Sequence, residues 1–229
     1  MNLFTGLKVP KVIFETSSEL NEHIQVVQIG NTRKIKVDDI EQSISHTSPM
    51  CERLYWGKVI EVVKKEVPEL KKALIFGFGG GTIAHLLSHN FAGAEIIGVE
   101  LDPVMVEIAR DYFDIGSIPN LRVIIEDALR VAVAPGEYNL KEHDFDMLLV
   151  DVYVGQKYPD LGKSGNFIGS IKKLVKPGGL IIFNRIYRED HQDDVNIFID
   201  YVSEFFDNVK NLVVAGYTNS DNVLIYAKT

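Results

Sequence analysis

Lys72–Glu100, KALIFGFGGGTIAHLLSHNFAGAEIIGVE, reads as strand, glycine turn, helix, strand, acid. Ala73–Phe76 is a short apolar run of the kind that fills a buried parallel strand. Gly77, Gly79, Gly80 and Gly81 follow at once. Glycines there permit positive φ and remove the Cβ atoms that would hold a ligand away from the backbone. Thr82–His89 resumes with helical spacing, placing Ile83, Leu86 and Leu87 on one face. A second apolar strand, Glu95–Val99, ends in Glu100, nineteen residues after the last glycine of the turn. An acid at that point can accept two hydrogen bonds from a ribose diol.

Two ligand classes want this arrangement. Dinucleotides use G-x-G-x-x-G, with a pyrophosphate on the helix N-terminus. Gly77-Phe78-Gly79 begins that pattern, but its third glycine position is Thr82, so the match is broken. S-adenosylmethionine and its relatives carry no pyrophosphate. They need a glycine turn for the amino-acid end and the same acid for the ribose.

The 229 residues suffice for one sizeable α/β domain, with or without a small appendage. A net charge of −8 argues against a nucleic-acid or anionic-membrane partner, because either would meet like charge. Lys71-Lys72 and Lys172-Lys173 are short basic pairs that read as solvated helix faces or ends. The single cysteine, Cys51, excludes an internal disulfide and reads as a buried small residue. No apolar run approaches the ~20 residues of a membrane span, and MNLFTGLKVPK lacks a signal peptide's apolar core. A cytoplasmic location is the expectation.

Residues 1–47 predict a small β unit. Val12–Phe14, His23–Val27 and Lys34–Val37 read as strands, and Gly30-Asn31 signals a hairpin. The unit is an arm over a sheet edge or a dimer partner, or else a lid over the ligand; a homodimer is expected from the arm. Residues 48–229 predict a doubly wound, mostly parallel, seven-stranded Rossmann-like domain. Ser48–Val67 is helical in pattern and closed by Pro68. Asp102 is a helix N-cap with Pro103 at the first helical position. Leu121–Ile125 is a strand ending at Glu126-Asp127-Ala128, and Asp144–Val150 is a strand ending at Asp151-Val152-Tyr153. Phe167–Leu174 is a helix, Leu180–Phe183 a strand ending at Asn184, and Val195–Phe206 a helix. Leu212–Tyr217 and Asn222–Ala227 close the chain as an antiparallel pair.

LIFGFGGGT, GVELDP, EDA, VDVY and LVKPGGLIIFN, in this order and spacing, resemble the class I S-adenosylmethionine-dependent methyltransferase fold and, within it, the spermidine synthase-like branch. The resemblance runs from about Ile40 to the end, taking in Gln42-Ser43 and the helix around Tyr55. It implies that Gly77, Gly79, Gly80 and Gly81 form the cofactor turn. It implies that Glu100 binds the ribose hydroxyls and that Asp127, with the Ala128 backbone, meets the adenine amino group. Gln42, Leu101 and Asp151 join them as implied cofactor contacts. Asp151 matches the family's proton acceptor, with Tyr153 beside it as a second implied catalytic residue. An ammonium cannot attack a sulfonium carbon until it is deprotonated, so a carboxylate beside the amine can bind the cation and take its proton.

The departures from the family are specific. Aminopropyltransferases carry an Asp in the glycine turn that reads the ammonium of decarboxylated S-adenosylmethionine; that position is Gly80 here. A second Asp three residues beyond the loop acid falls at Val154, and a Tyr-Gln pair falls near Asn21-Glu22. Losing an anion from the turn removes repulsion against a cofactor that keeps its carboxylate. The reading is therefore a methyltransferase using S-adenosylmethionine on a small-molecule acceptor, with an amine as one candidate. Aminopropyl transfer from decarboxylated S-adenosylmethionine is the alternative. A non-catalytic ligand-binding or assembly protein is the third reading.

No metal is expected. Asp151 and Asn184 could begin a set of oxygen ligands, but no third ligand is evident. His85 and His89 stand i, i+4 and read as surface or groove residues. Tyr153 and Tyr158 are candidates for the wall of an acceptor pocket.

Overall fold

The computed structural model describes residues 9–153, 165–188, 192–218 and 220–229. Val154 and Tyr158, named above, lie outside the described residues. Two sheets organise the chain. The first is antiparallel, in the order β1 (Lys11–Thr16), β2 (Ile24–Ile29), β3 (Thr32–Val37) and β4 (Ile40–Ile44). The β2–β3 ladder closes at Ile29↔Thr32 across Gly30-Asn31, with Gly30 in the left-handed region at φ 61°. The fourth strand was not expected, because IEQSI is short and polar at its centre.

The second sheet is built from seven strands. In chain order these are β5 (Lys72–Phe76), β6 (Glu95–Glu100), β7 (Leu121–Ile125), β8 (Phe145–Val150), β9 (Val175–Arg188), β10 (Lys210–Thr218) and β11 (Ser220–Lys228). Their spatial order is β10-β11-β9-β8-β5-β6-β7. The β7-β6-β5-β8-β9 run is parallel, and β11 is antiparallel to both neighbours. One reversed strand therefore sits in an otherwise parallel sheet, as the sequence predicts.

Alternation along β5 shows why both faces are covered. Ala73 and Ile75 enter one core with α1 (Tyr55–Glu66) and α2 (Thr82–Asn90). Leu74 and Phe76 enter the opposite core with α4 (Ala128–Val133), α5 (Gly165–Leu174) and α6 (Gln192–Ser203). Within α1, Val59 and Val63 are fully buried; each such burial stabilises by about 1.5–3 kcal/mol. A third cluster joins Ile24, Val26, Ile35 and Val37 of the small sheet to Met105, Ile108 and Phe113 of α3 (Pro103–Phe113). The small sheet thus packs within the chain on α3. As predicted, Asp102 caps α3, its side chain accepting from Val104 N, and Pro103 opens the helix.

Some boundaries differ from the sequence reading. Helix α1 begins at Tyr55, not Ser48. Residues 48–54 are linked turns instead, closed by Cys51 N to Ser48 O at 3.0 Å and Leu54 N to Met50 O at 3.2 Å. They fold back so closely that a Cβ on Gly57 would lie 2.1 Å from Glu52 O. Helix α4 was not anticipated, although Asp127 caps it by accepting from Leu129 N. The β8–β9 ladder shifts register between Phe145↔Val175 and Met147↔Leu180, so Lys176-Pro177-Gly178-Gly179 bulges on that side, while Gly178 N donates to Thr229 O at 2.9 Å. Beyond Asn184 β9 runs on because β11 pairs with it as far as Arg188. Helix α6 runs from Gln192 to Ser203, so it begins and ends earlier than expected. Among the described residues no helix is long and apolar enough to cross a membrane.

Candidate active site at the carboxyl rim of the sheet

Parallel strands bring their carboxyl ends to one rim, and ligands of open α/β sheets bind there. Glu100 ends β6, Asp127 follows β7 and Asp151 follows β8. The glycine turn after β5 lies among them.

That turn is held by backbone. Gly77 N and Phe78 N donate to Val99 O at 3.0 and 3.1 Å. Gly77, Gly79 and Gly81 take φ of 84°, 53° and 76°, a region that L side chains avoid. Gly77 is also a point of contact: a Cβ there would lie 2.0 Å from Asp151 O. Phe78 turns inward, and its ring lies where a Cβ on Gly98 would stand, 2.2 Å from Cδ2. Gly98 in the middle of β6 therefore makes room for the turn, a role the sequence reading missed.

Gly79 N donates to Glu100 Oε2 at 2.8 Å, and Asp102 N donates to Glu100 Oε1 at 3.1 Å. The carboxylate so bridges the turn and the loop after β6. Burial pushes its pKa up, against the opposing pull of these backbone donors. Glu126 N donates to Glu100 O at 2.9 Å, which ties the β7 end to the β6 end. Asp127 Oδ1 accepts from Leu129 N at 2.7 Å and so serves as a cap. Ala128 opens the helix behind it, buried, while Leu101 lies exposed on the rim.

Ser43 of β4 reaches the turn from the small sheet. Gly80 N donates to Ser43 Oγ at 2.8 Å, and Thr82 Oγ1 donates to Ile44 O at 2.7 Å. A Cβ on Gly80 would stand 2.8 Å from Ser43 Cβ and 2.9 Å from Ile35 Cδ1. The resemblance takes in Ser43, but its contact with the turn was missed, since a serine on a short strand does not show what it touches. Gln42, its neighbour, is half-buried on the same strand. The small sheet is also tied down at Asp102 Oδ2, which accepts from Ser18 Oγ and from Asn21 Nδ2.

Asp151 anchors the other half of the rim. Its backbone N donates to Phe76 O at 2.8 Å. Tyr55 OH donates to Oδ2 and Asn184 Nδ2 donates to Oδ1, each at 2.7 Å. Burial pushes the carboxyl pKa up, and the two donors oppose that. Tyr55 is pushed well above the ordinary phenol range, first by burial and then by Asp151. Tyr153 OH donates to Asn184 O at 3.1 Å. Asn184, considered above as a metal ligand, is instead a hydrogen-bond donor to Asp151. Among the described residues no group of His, Cys, Asp and Glu is arranged to hold a metal.

Two other expectations are settled away from the rim. His85 is buried, not on the surface: its Nε2 lies 2.7 Å from Phe113 O and its ring stacks on His46 at 3.9 Å. His89, one turn on, is exposed. Cys51 is buried, with its thiol pKa pushed up to about 12, first by burial.

The strand order, the reversed β11 and the glycine turn define the Rossmann-like architecture of class I methyltransferases. A probable spermidine synthase from Corynebacterium glutamicum superposes with a TM-score of 0.75 at 16% identity, over 95% of this chain and 80% of that one. Human methyltransferase-like protein 13 in complex with SAH gives a TM-score of 0.59 at 21% identity, over 79% and 82%. Residues 52–229 match the spermine/spermidine synthase domain, and the chain belongs to that family. A polyamine aminopropyltransferase of Vibrio vulnificus is 28% identical over 145 residues, 62% of this chain and 48% of the relative. An eEF1A lysine and N-terminal methyltransferase homolog of Drosophila pseudoobscura pseudoobscura is 28% identical over 167 residues, 70% of this chain and 24% of the relative. The chain thus spans half or less of the length of these curated relatives.

Proposed function

We propose that this protein is a methyltransferase that uses S-adenosylmethionine on a small-molecule acceptor. The observation that carries the reading is the packing at Gly80. A side chain there would meet Ser43 Cβ at 2.8 Å and Ile35 Cδ1 at 2.9 Å, so the acid that would read a decarboxylated cofactor's ammonium could enter the turn only if these neighbours shifted. The residues fit an adenosyl sulfonium. Glu100, bonded to the turn and to the Asp102 amide, would hold the ribose diol, and the loop around Asp127 and Ala128 would meet the adenine. The turn glycines would take the amino-acid end. The sulfonium supplies an electrophilic methyl group when bound.

On the acceptor side the chain offers a carboxylate, two tyrosines and an amide: Asp151, Tyr55, Tyr153 and Asn184. Such a lining suits a neutral or cationic nucleophile such as an amine. Asp151 would accept the proton the nucleophile sheds, and holding both its oxygens fixed favours alignment of attacking atom and carbon.

Aminopropyl transfer is the second reading, supported by the family match and by the Vibrio vulnificus relative. Mass spectrometry of products separates the two. Incubation with S-adenosylmethionine and a panel of small amines is expected to yield S-adenosylhomocysteine. Release of methylthioadenosine from decarboxylated S-adenosylmethionine and putrescine would instead establish the aminopropyltransferase.

A further inference from the structure

Behind Asp151 a row of amides crosses the sheet. Asn184 stands on β9, next to β8, and Asn222 stands on β11, next to β9. In the β9–β11 ladder Asn222 pairs with Ile186 and Leu224 with Asn184, which makes Asn184 and Asn222 diagonal neighbours on one face. Asn222 Nδ2 donates to Asn184 Oδ1 at 3.0 Å, and Asn184 Nδ2 donates to Asp151 Oδ1 at 2.7 Å. Asn184 is only 2% exposed, so neither end of its amide can turn to water instead.

An amide has one accepting end and one donating end. Which end faces Asp151 decides the proton on that acid. An N–H turned to the carboxyl favours the anion, and a C=O turned to it favours the neutral acid, which alone can donate. Asn222 supplies a donor on the far side, and Asn184 presents Oδ1 to it.

We propose that Asn222 is a positioning residue, which fixes the Asn184 amide with its N–H toward Asp151 and so holds that acid in its proton-accepting form. Asn222 acts from two strands away, through Asn184. Among the described residues the other titratable side chains at Asp151 are Tyr55, from α1, and Tyr153, on the acid's own loop, which interacts electrostatically with Tyr55. Tyr55 donates to the other carboxylate oxygen and leaves the Asn184 contact to be set by the amide row. The role assigned to Asp151 rests on the proposed reaction, but the amide's orientation does not.

The test is therefore made on ligand-free protein. The Asp151 carboxyl is followed by carbon-detected NMR titration in the unaltered chain and in Asn222→Asp, Asn222→Leu and Asn222→Gln. Aspartate at this position only accepts, so it competes with Asp151 for the Asn184 N–H. Leucine removes the donor without adding charge, and glutamine keeps a donor. The expected result is an upward move of the Asp151 midpoint in the Asp and Leu variants and an unmoved midpoint in the Gln variant. A rise in the Asp variant alone would report added charge and would overturn the proposal, as would no change in any variant or a rise in all of them. Turnover and its pH profile, measured separately, then show whether the same shift moves the acid limb of activity. A midpoint that moves while activity is absent would reject the reaction and leave the amide row intact.

Discussion

Around Gly77–Gly81 the rim is made of backbone, whereas around Asp151 it is made of side chains. The first half depends on positive φ at Gly77, Gly79 and Gly81 and on amides donated to Val99, Ser43 and Glu100. The second depends on Tyr55, Asn184 and Asn222, drawn from α1, β9 and β11. The backbone half would receive the cofactor on the proposed function, and it needs glycine where chains touch. The side-chain half, on the proposed function, would meet the acceptor, and its side chains can be substituted without placing a Cβ in the turn.

Substitutions on each side sharpen this division. Asp151→Asn is expected to lower turnover by about 10²–10⁴-fold, while cofactor affinity from calorimetry stays within a few-fold. Equal losses in both would merge the two halves. Gly77→Ala is expected to destabilise by about 3 kcal/mol or more, from strained φ together with the clash on Asp151 O. Thermal or urea unfolding reads this, and a near-neutral result would mean that the turn yields. Glu100→Gln is expected to weaken S-adenosylmethionine binding by about tenfold or more, the worth of a hydrogen bond to a charged group, with little effect on turnover at saturation. Ser43→Ala removes the acceptor of Gly80 N and is expected to cost about 1 kcal/mol of stability.

The smallest effect concerns pH. Glu100 and Asp151 both have their pKa raised by burial. Between their ordinary values and the raised ones, the folded chain binds more protons than the unfolded chain. Their share of stability therefore falls as pH rises through that window, opposed by carboxyls such as Glu66, whose pKa Lys210 pulls down. The difference in denaturant midpoint between the unaltered chain and Glu100→Gln, followed across the acid range, should show this fall; a difference that does not change with pH would contradict it.

The backbone half was legible because its chemistry is local. Four glycines after an apolar strand, a capped helix and an acid at the next strand's end are signals within thirty residues or so. The sheet's reversed strand was legible too, because a tight turn between Leu212–Tyr217 and Asn222–Ala227 leaves no alternative. The side-chain half was legible only at Asp151, through the VDVY stretch that ends its strand. Its partners Tyr55, Asn184 and Asn222 are far apart in the chain, and a lone Asn or Tyr on a strand or helix has no periodic signature. Ser43 and Gly98 were hidden for the same reason: their meaning is what they touch, namely Gly80 N and the Phe78 ring. The His85 misreading arose because i, i+4 spacing says nothing about whether another ring, here His46, covers that face.

On the proposed function, Glu100 and the glycine turn receive an adenosyl sulfonium that keeps its carboxylate. Calorimetric titration of the unaltered chain with S-adenosylmethionine and, separately, with its decarboxylated form tests it most directly. The expected result is saturable binding of S-adenosylmethionine, tighter than that of the decarboxylated form and weakened by Glu100→Gln. Preference for the decarboxylated form, or no heat with either, would contradict it.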